Sequence, residues 1–287
     1  MLLTIFSNPR PFTGPFNLIQ RNAIKSWQAL GLDCEIILIN DEDGTTARVA
    51  KELNTRCIEK VTTNEFNTPL LDDVFKKVRE IANGKIIAQV NADIILTDSF
   101  IKTISLVVKQ LKDQPFFMIG RRWDLDLNEE INFSNPDWQG ELLSQVSKSG
   151  RLHGISGIDY WVFPKSFDFN PPAFNIGRVG MDSWLIYRAR TLKIPVIDAT
   201  NMVTIIHQNH NYPQKKKDYF KIETERNLKL SGAPLNSMSL MDADWTFTED
   251  NKLTRPPFPR MIFSIFSLFY PWRLLLAVKR KIVHWLL

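Results

Sequence analysis

The chain is poor in cysteine: its 287 residues include only Cys34 and Cys57, far apart and without a Cys-x-x-Cys spacing. This argues against a disulfide framework or a cysteine-based zinc site and favours two buried thiols in a reducing compartment. The N-terminus also lacks the basic region and longer apolar run of a secretory signal. We therefore expect a cytoplasmic protein.

Long apolar runs are also missing, since no stretch approaches the roughly 20 residues that a membrane-spanning helix requires. Acidic residues are absent from Lys252 onward, where seven Lys and Arg residues occur. The remainder therefore holds 29 basic against 31 acidic residues, although the whole chain carries a net charge of +5. A main body that is not basic argues against a nucleic-acid partner.

The acid-free C-terminal segment, 251–287, alternates Phe, Trp and Leu with the basic residues Arg273 and 279–281. This pattern predicts a basic amphipathic helical tail that binds an anionic membrane surface from the cytoplasmic side. The alternative is a C-terminal helix that packs on the main body with its basic side chains in water.

Short apolar runs alternate with helical patterns through the first hundred residues. Strands are predicted at 2–6, 35–39, 57–61 and 85–90, and helices at 16–30, 46–53 and 68–81. This alternation predicts an α/β fold with a mostly parallel sheet and helices on both faces. The second half is less regular, with helices at 99–111 and 182–191, strands at 116–120, within 154–164 and within 196–206, and a polar loop at 121–135.

Polar residues follow three of the predicted strands. Ser7-Asn8 follows the first strand, Asp41 the second, and Asn91-Ala92-Asp93 the strand that ends at Val90. Because the carboxyl ends of parallel strands lie at one edge of a sheet, where ligands bind, we expect these side chains to share one site.

The segment from Ile86 to Leu96 is an apolar strand that delivers the triplet Asn91-Ala92-Asp93 and then turns apolar again. It resembles the Asp-x-Asp motif of nucleotide-sugar-dependent glycosyltransferases of the GT-A fold, with Asn91 in the first acidic position. The resemblance implies a divalent cation, Mn²⁺ or Mg²⁺, bound through Asp93 and bridging the two phosphates of the donor. Asn91 offers a neutral oxygen, better suited to a ribose or water contact. The alternative for Asp93 is a capping residue of a turn.

In that family the ends of the first two strands hold the nucleoside. The resemblance therefore implies donor-binding roles for Ser7, Asn8 and Asp41, and Arg10 could contact a phosphate. The alternative is that all four are polar loop residues.

A second segment, Gly177 to Leu185, resembles the acidic motif that precedes a helix in inverting members of the family. There the carboxylate, here Asp182, takes the proton from the acceptor hydroxyl. Asp182 could equally serve as a helix N-cap.

A third segment places His207 and His210 directly after an apolar strand. The family frequently has a C-terminal histidine on the metal or diphosphate, and neutral imidazole is a competent ligand for manganese. His207 is the first choice and His210 the second, and a structural role is the alternative.

Acceptor-binding residues are expected between these segments. Glycine permits close backbone approach and aromatic rings can stack on sugars, which suggests the set Gly157, Asp159, Tyr160 and Trp184. Core packing is the alternative for the aromatic residues. We expect Arg121 to Asp124 to form a solvated turn, and a contact with the diphosphate is the alternative.

These features together predict a GT-A catalytic domain at 1–250, with a donor-binding half at 1–98 and an acceptor-binding half at 99–250, followed by the tail. Its expected activity is transfer of a sugar to a hydroxyl of a sugar, lipid-linked or other acceptor. The Asp182 motif favours inversion, and retention is the alternative, since a retaining enzyme would not need that base. A nucleotidyltransferase is one alternative, although the loop after the first strand has Pro9, Pro11 and Pro15 rather than a glycine-rich pattern. A non-catalytic, membrane-associated binding module is the other.

Overall fold

The structure is a computed structural model that describes residues 3–40, 43–112, 114–211, 217–248, 250–258 and 260–267. Its helices are α1 (Gly14–Gln28), α2 (Thr45–Glu52), α3 (Leu71–Ile81), α4 (Asp98–Leu111), α5 (Trp138–Ser149), α6 (Met181–Thr191), α7 (Asp218–Ser231) and α8 (Arg260–Phe266). The strands are β1 (Leu3–Ser7), β2 (Cys34–Ile39), β3 (Arg56–Ile58), β4 (Ile86–Val90), β5 (Ile94–Leu96), β6 (Phe117–Ile119), β7 (Trp123–Leu125), β8 (Arg151–Leu152), β9 (Tyr160–Pro164), β10 (Val196–Asp198), β11 (Ile205–Gln208), β12 (Trp245–Phe247) and β13 (Leu253–Thr254).

The main sheet has nine strands in the order β13-β12-β10-β6-β9-β4-β1-β2-β3. The neighbours from β3 through β4 are parallel, as are β6, β10 and β12. Strand β9 runs antiparallel between β4 and β6, and β13 is an antiparallel edge strand. The expected α/β class with a mostly parallel sheet is therefore confirmed.

Helices cover both faces of this sheet because its strands are apolar on both sides. On one face, Leu3 and Ile5 belong to a core that includes Trp27 of α1 and Phe100 of α4. On the other face, Phe6 belongs to a core formed with α3 and α6. Because side chains alternate between the two faces of a strand, β1 contributes residues to both cores.

A smaller, four-stranded sheet has the order β5-β11-β7-β8. Helix α5 packs on it through Trp138, Leu142 and Val146. The polar loop predicted at 121–135 is wrong in part, because β7 lies inside it. Trp123 and Leu125 flank a buried aspartate there, so a charged residue points inward where the composition indicated solvent.

The described part of the predicted tail is not wholly helical, because it contains β13, which pairs with β12, as well as α8. Helix α8 is held on the main body. The Arg260 guanidinium lies 2.9 Å from the Asp198 carboxylate, and Arg190 donates a hydrogen bond of 2.8 Å to Ser267. The rest of the tail, 268–287, lies outside the described residues, and no helix within them is long and apolar enough to cross a bilayer. The division of 1–250 at residue 98 stays a prediction. Cys34 and Cys57 are free thiols, half-buried rather than buried.

Candidate active site

The turn between β4 and β5 carries Asp93. Its backbone closes with a hydrogen bond from Ile94 N–H to the Asn91 carbonyl, and the Trp27 indole donates to the Ile94 carbonyl at 2.8 Å. Strand β11 runs antiparallel to β5 and pairs His207 with Ile94. This register brings His207 next to Asp93, and His210 follows just beyond the end of β11.

Asp93, His207 and His210 form a compact cluster. Oδ2 of Asp93 lies 2.9 Å from Nε2 of His210 and 3.6 Å from Nε2 of His207. One nitrogen or oxygen atom from each of the three residues lies within 4.8 Å of the others. Oδ1 of Asp93 is buried and accepts no hydrogen bond from any described residue. A carboxylate, two imidazoles and an unsatisfied buried oxygen fit a divalent cation.

The charges in this cluster support one another. Burial by itself favours the neutral form of Asp93, but the adjacent imidazoles of His207 and His210 outweigh it and hold the pKa of the carboxyl well below its usual range. Burial lowers the pKa of His207, and the adjacent Asp93 carboxylate reverses this, so the pKa of the imidazole is raised overall. Asp93 is therefore an ionised carboxylate.

Arg10 is connected to this cluster through an aromatic ring. Its guanidinium lies 4.7 Å from the centre of the Phe16 ring, which makes an edge contact with His210 at 5.0 Å. The Gln20 side chain accepts a hydrogen bond from the Arg10 backbone N–H and donates one to its carbonyl. Helix α1 therefore fixes the loop that carries the Arg10 guanidinium.

The end of β1 presents further unsatisfied polar atoms. The Ser7 hydroxyl and Oδ1 of Asn8 are buried without a hydrogen-bond partner among the described residues. Such atoms at the carboxyl end of a parallel strand are typical of a ligand site. Asp41, the third residue expected to bind the nucleoside, lies outside the described residues.

Asn91 makes two contacts within the protein. Its amide nitrogen donates to Asp159 at 2.6 Å, and its oxygen accepts from Gln89 at 3.0 Å. The antiparallel register of β4 and β9 places Asp159 there, since the next residue, Tyr160, pairs with Val90. The expected ribose contact of Asn91 competes with these bonds.

Asp182 lies in the first turn of α6, partly buried. The N-cap interpretation is wrong, because the N-cap residue is Gly180. The Trp161 indole donates a hydrogen bond of 3.0 Å to Oδ1 of Asp182. Burial, and then the nearby Asp159 carboxylate, raise the pKa of Asp182 to about 7. A carboxylate with this pKa suits general-base work near neutral pH.

Buried polar side chains of α7 hold the loop that leads to Asp182. Glu223 makes an ion pair of 2.7 Å with Arg178, and Asn227 accepts a hydrogen bond of 2.8 Å from the Asn175 backbone. Gly180, with φ at 106°, passes close to the Asn227 backbone. Helix α7 therefore fixes the approach of the chain to Asp182.

The aromatic residues expected to bind the acceptor belong to the core. Tyr160 is fully buried with its ring 5.3 Å from that of Phe100, and Trp184 packs against Phe174 at 5.4 Å. Neither fits a stacking contact with a sugar, because cross-strand and helix packing occupy their rings. Gly157 is also buried, and a Cβ there would meet the His153 ring at 2.5 Å.

An ion-pair network, missed in the sequence, continues from the cluster toward Asp182. Arg122 contacts Asp124 through Nε at 2.9 Å and Asp159 through Nη1 at 2.8 Å. The expected solvated turn at 121–124 is wrong, because Asp124 is almost fully buried in β7. The one signal in the sequence for a strand with Asp124 inside it was the placement of Trp123 and Leu125 on either side of Asp124. Asp159, expected to contact the acceptor, bonds Arg122 and Asn91 and acts on Asp182 through its charge.

Neither known protein-family profiles nor the sequences of curated proteins match the chain. Among similar solved structures, glucosyl-3-phosphoglycerate synthase of Mycobacterium tuberculosis with Mn²⁺, UDP and phosphoglyceric acid is 14% identical at a TM-score of 0.47, covering 90% of this chain and 86% of that chain. The same enzyme with Mn²⁺, UDP and glucosyl-3-phosphoglycerate is 13% identical at 0.46, covering 91% of each. Staphylococcus aureus TarS 1–349 with UDP-GlcNAc is 13% identical at 0.33, and the match covers 44% of this chain and 35% of that chain. A likeness this distant transfers no function.

The raised pKa of Asp182 makes a testable contribution to stability. An aspartate with a pKa of 3.8 when unfolded and about 7 when folded binds its proton more tightly in the folded state. Stability is therefore lost as pH rises from about 4 to about 7. Asp182→Asn should raise the Tm relative to the unsubstituted protein at a pH of about 8 and much less at about 5. Equal differences at both pH values, or no excess over the exposed Asp72→Asn control on α3, would contradict it.

Proposed function

We propose that this chain is a glycosyltransferase that moves a sugar from a nucleotide-sugar donor to an acceptor hydroxyl with the aid of a divalent cation. The observation that carries the proposal is the Asp93, His207 and His210 cluster, from which ionic contacts run through Asp124 and Arg122 to Asp159. The charge of Asp159 in turn helps to raise the pKa of Asp182. The resemblance of Asn91-Ala92-Asp93 to a nucleotide-sugar motif supplies the class of donor.

Donor binding falls to the ends of β1 and β4. Asp93, His207 and His210 would hold the cation, which supplies charge neutralisation for the departing diphosphate when bound. The unsatisfied atoms of Ser7 and Asn8 are available to the nucleoside. Arg10, fixed over Phe16 beside His210, is suited to a phosphate contact.

Proton transfer falls to Asp182. As the acceptor oxygen bonds to the anomeric carbon, the bond from that carbon to the donor phosphate breaks, and Asp182 takes the hydroxyl proton. The hydrogen bond from Trp161 fixes the orientation of the carboxylate. A single base acting in one displacement gives inversion, which is the stereochemistry that we propose.

A nucleotidyltransferase remains the second candidate, because a cation cluster at the edge of an α/β sheet also serves nucleoside triphosphates. Turnover of nucleoside triphosphates, but not of nucleotide-sugars, would favour it. A non-catalytic binding module would bind nucleotides without turnover of either.

The cation site is tested by incubating the protein with Mn²⁺ and a panel of nucleotide-sugars and measuring the nucleoside diphosphate that is released. Water suffices as acceptor for the first screen. We expect chelation to abolish release and Asp93→Ala to lower it by roughly a thousandfold, because the cation loses its carboxylate. Asp72→Ala, which removes an exposed carboxylate from α3, is the matched control. Unchanged release in Asp93→Ala would defeat the assignment of the metal ligands.

Kinetics of Asp182→Asn test the base. The kcat should fall by about 10²–10⁴-fold while donor affinity stays unchanged, because the amide cannot accept the proton. For the unsubstituted protein, kcat/KM should fall about tenfold per pH unit below about 7, as Asp182 becomes protonated. Equal losses of donor affinity and kcat, or a profile flat through neutrality, would assign Asp182 a structural role.

We also propose that the basic tail attaches the protein to an anionic membrane surface on the cytoplasmic side, where a lipid-linked acceptor would be found. The support is the run of seven basic residues without an acidic one from Lys252 onward.

Truncation after Ser267 tests the tail, because it keeps the contacts of Arg190 and Arg260 with the main body. The full chain should float with anionic vesicles and lose this binding in high salt, whereas the truncated chain should stay unbound. Equal flotation of both would rule out the tail as the attachment.

A further inference from the structure

Asp124 is a buried carboxylate that takes part in the ionic network described above but has no role of its own in the proposed function. Only about 6% of its side chain is exposed, in the middle of β7. Four basic side chains surround it: Arg122, Arg151, His153 and His207. Burying a carboxylate is costly unless it is paired, so a buried carboxylate with this many basic neighbours serves either folding or function.

The strand register explains why Asp124 meets His207. Strands β7 and β11 are parallel, and Asp124 and His207 are direct partners in that pairing. Nδ1 of His207 lies 3.3 Å from Oδ1 of Asp124, which is an ion-pair contact rather than a hydrogen bond, and Nε2 lies 3.6 Å from Oδ2 of Asp93. The imidazole therefore stands between two carboxylates, one on each ring nitrogen.

The Asp124 carboxylate is itself held in place. Its Oδ2 bonds Nδ1 of His153 at 2.7 Å, and its Oδ1 meets Nε of Arg122 at 2.9 Å. Gly157 permits this arrangement, since any Cβ there would enter the His153 ring. Oδ1 is therefore fixed on the side of His207.

We propose that Asp124 is a positioning residue that keeps the proton of neutral His207 on Nδ1 and so leaves the lone pair of Nε2 for the cation. The inference rests on the cation site of the proposed function. Neutral imidazole has one donor and one acceptor nitrogen. Of the two carboxylates beside the ring, Asp124 lies nearer, at 3.3 Å against 3.6 Å for Asp93, and this favours the proton on Nδ1. Carboxylates that orient metal-bound histidines in this way affect metal affinity by about 10- to 100-fold.

Direct Mn²⁺ binding, measured by calorimetry on the full chain without donor, tests this role. Asp124→Asn should weaken Mn²⁺ binding by about 10- to 100-fold at an unchanged stoichiometry of one. Asp72→Asn, at an exposed position on α3, should bind like the unsubstituted protein. Loss of the single site in Asp124→Asn would instead make Asp124 a ligand and overturn the positioning role.

The outcomes separate this inference from the proposed function. If the unsubstituted protein binds no Mn²⁺, the cation site and the function proposed from it fail. If it binds Mn²⁺ and Asp124→Asn binds equally well, only the role of Asp124 is wrong.

The tautomer itself can be read without relying on a folded variant. Long-range ¹H–¹⁵N correlation spectra of the metal-free protein at alkaline pH distinguish protonation at Nδ1 from that at Nε2, and His207→Gln identifies the signal. We expect a proton on Nδ1 of His207 in the unsubstituted protein. A proton on Nε2 would overturn the proposal, whatever Asp124→Asn does.

Discussion

The site depends on one piece of strand pairing, the antiparallel contact of β5 with β11. It joins the turn at Asp93 to His207 across more than a hundred residues of chain and lets His210 close on the same carboxylate. Without this pairing the side chains of Asp93, His207 and His210 would not lie close to one another. Two histidines keep a buried carboxylate ionised, so the pairing also creates the negative charge that a divalent cation needs.

From this cluster, ionic contacts run through Asp124, Arg122 and Asp159 toward Asp182. Each member is buried or partly buried, which makes charge pairing costly to break. The network has opposite effects at its two ends. It favours the ionised form of the carboxylate at Asp93 and disfavours the ionised form at Asp182. One fold thereby holds one carboxylate ionised and gives another a pKa of about 7.

The apolar patterns of the first hundred residues were sufficient for β1, β2, β4 and the helices between them, because these elements bury whole apolar faces. Helix α7 was not predicted from the sequence, because the side chains that it buries, Glu223, Asn227 and Ser231, are spaced four apart but are polar rather than apolar. Tyr160 and Trp184 were misplaced for a related reason: an aromatic ring serves a core and a sugar equally well, and composition does not say which.

The sequence by itself determined the α/β class, the edge of the sheet where polar residues gather, and the residue types of the candidate site, Asp93, Asp182, His207 and His210. These follow from local periodicity and from the chemistry of single side chains. Only the tertiary structure decided that Asp124 faces His207, that the charge of Asp159 acts on Asp182, and that Tyr160 lies inside. Those relations come from strand register, which joins distant segments and leaves no trace in local pattern.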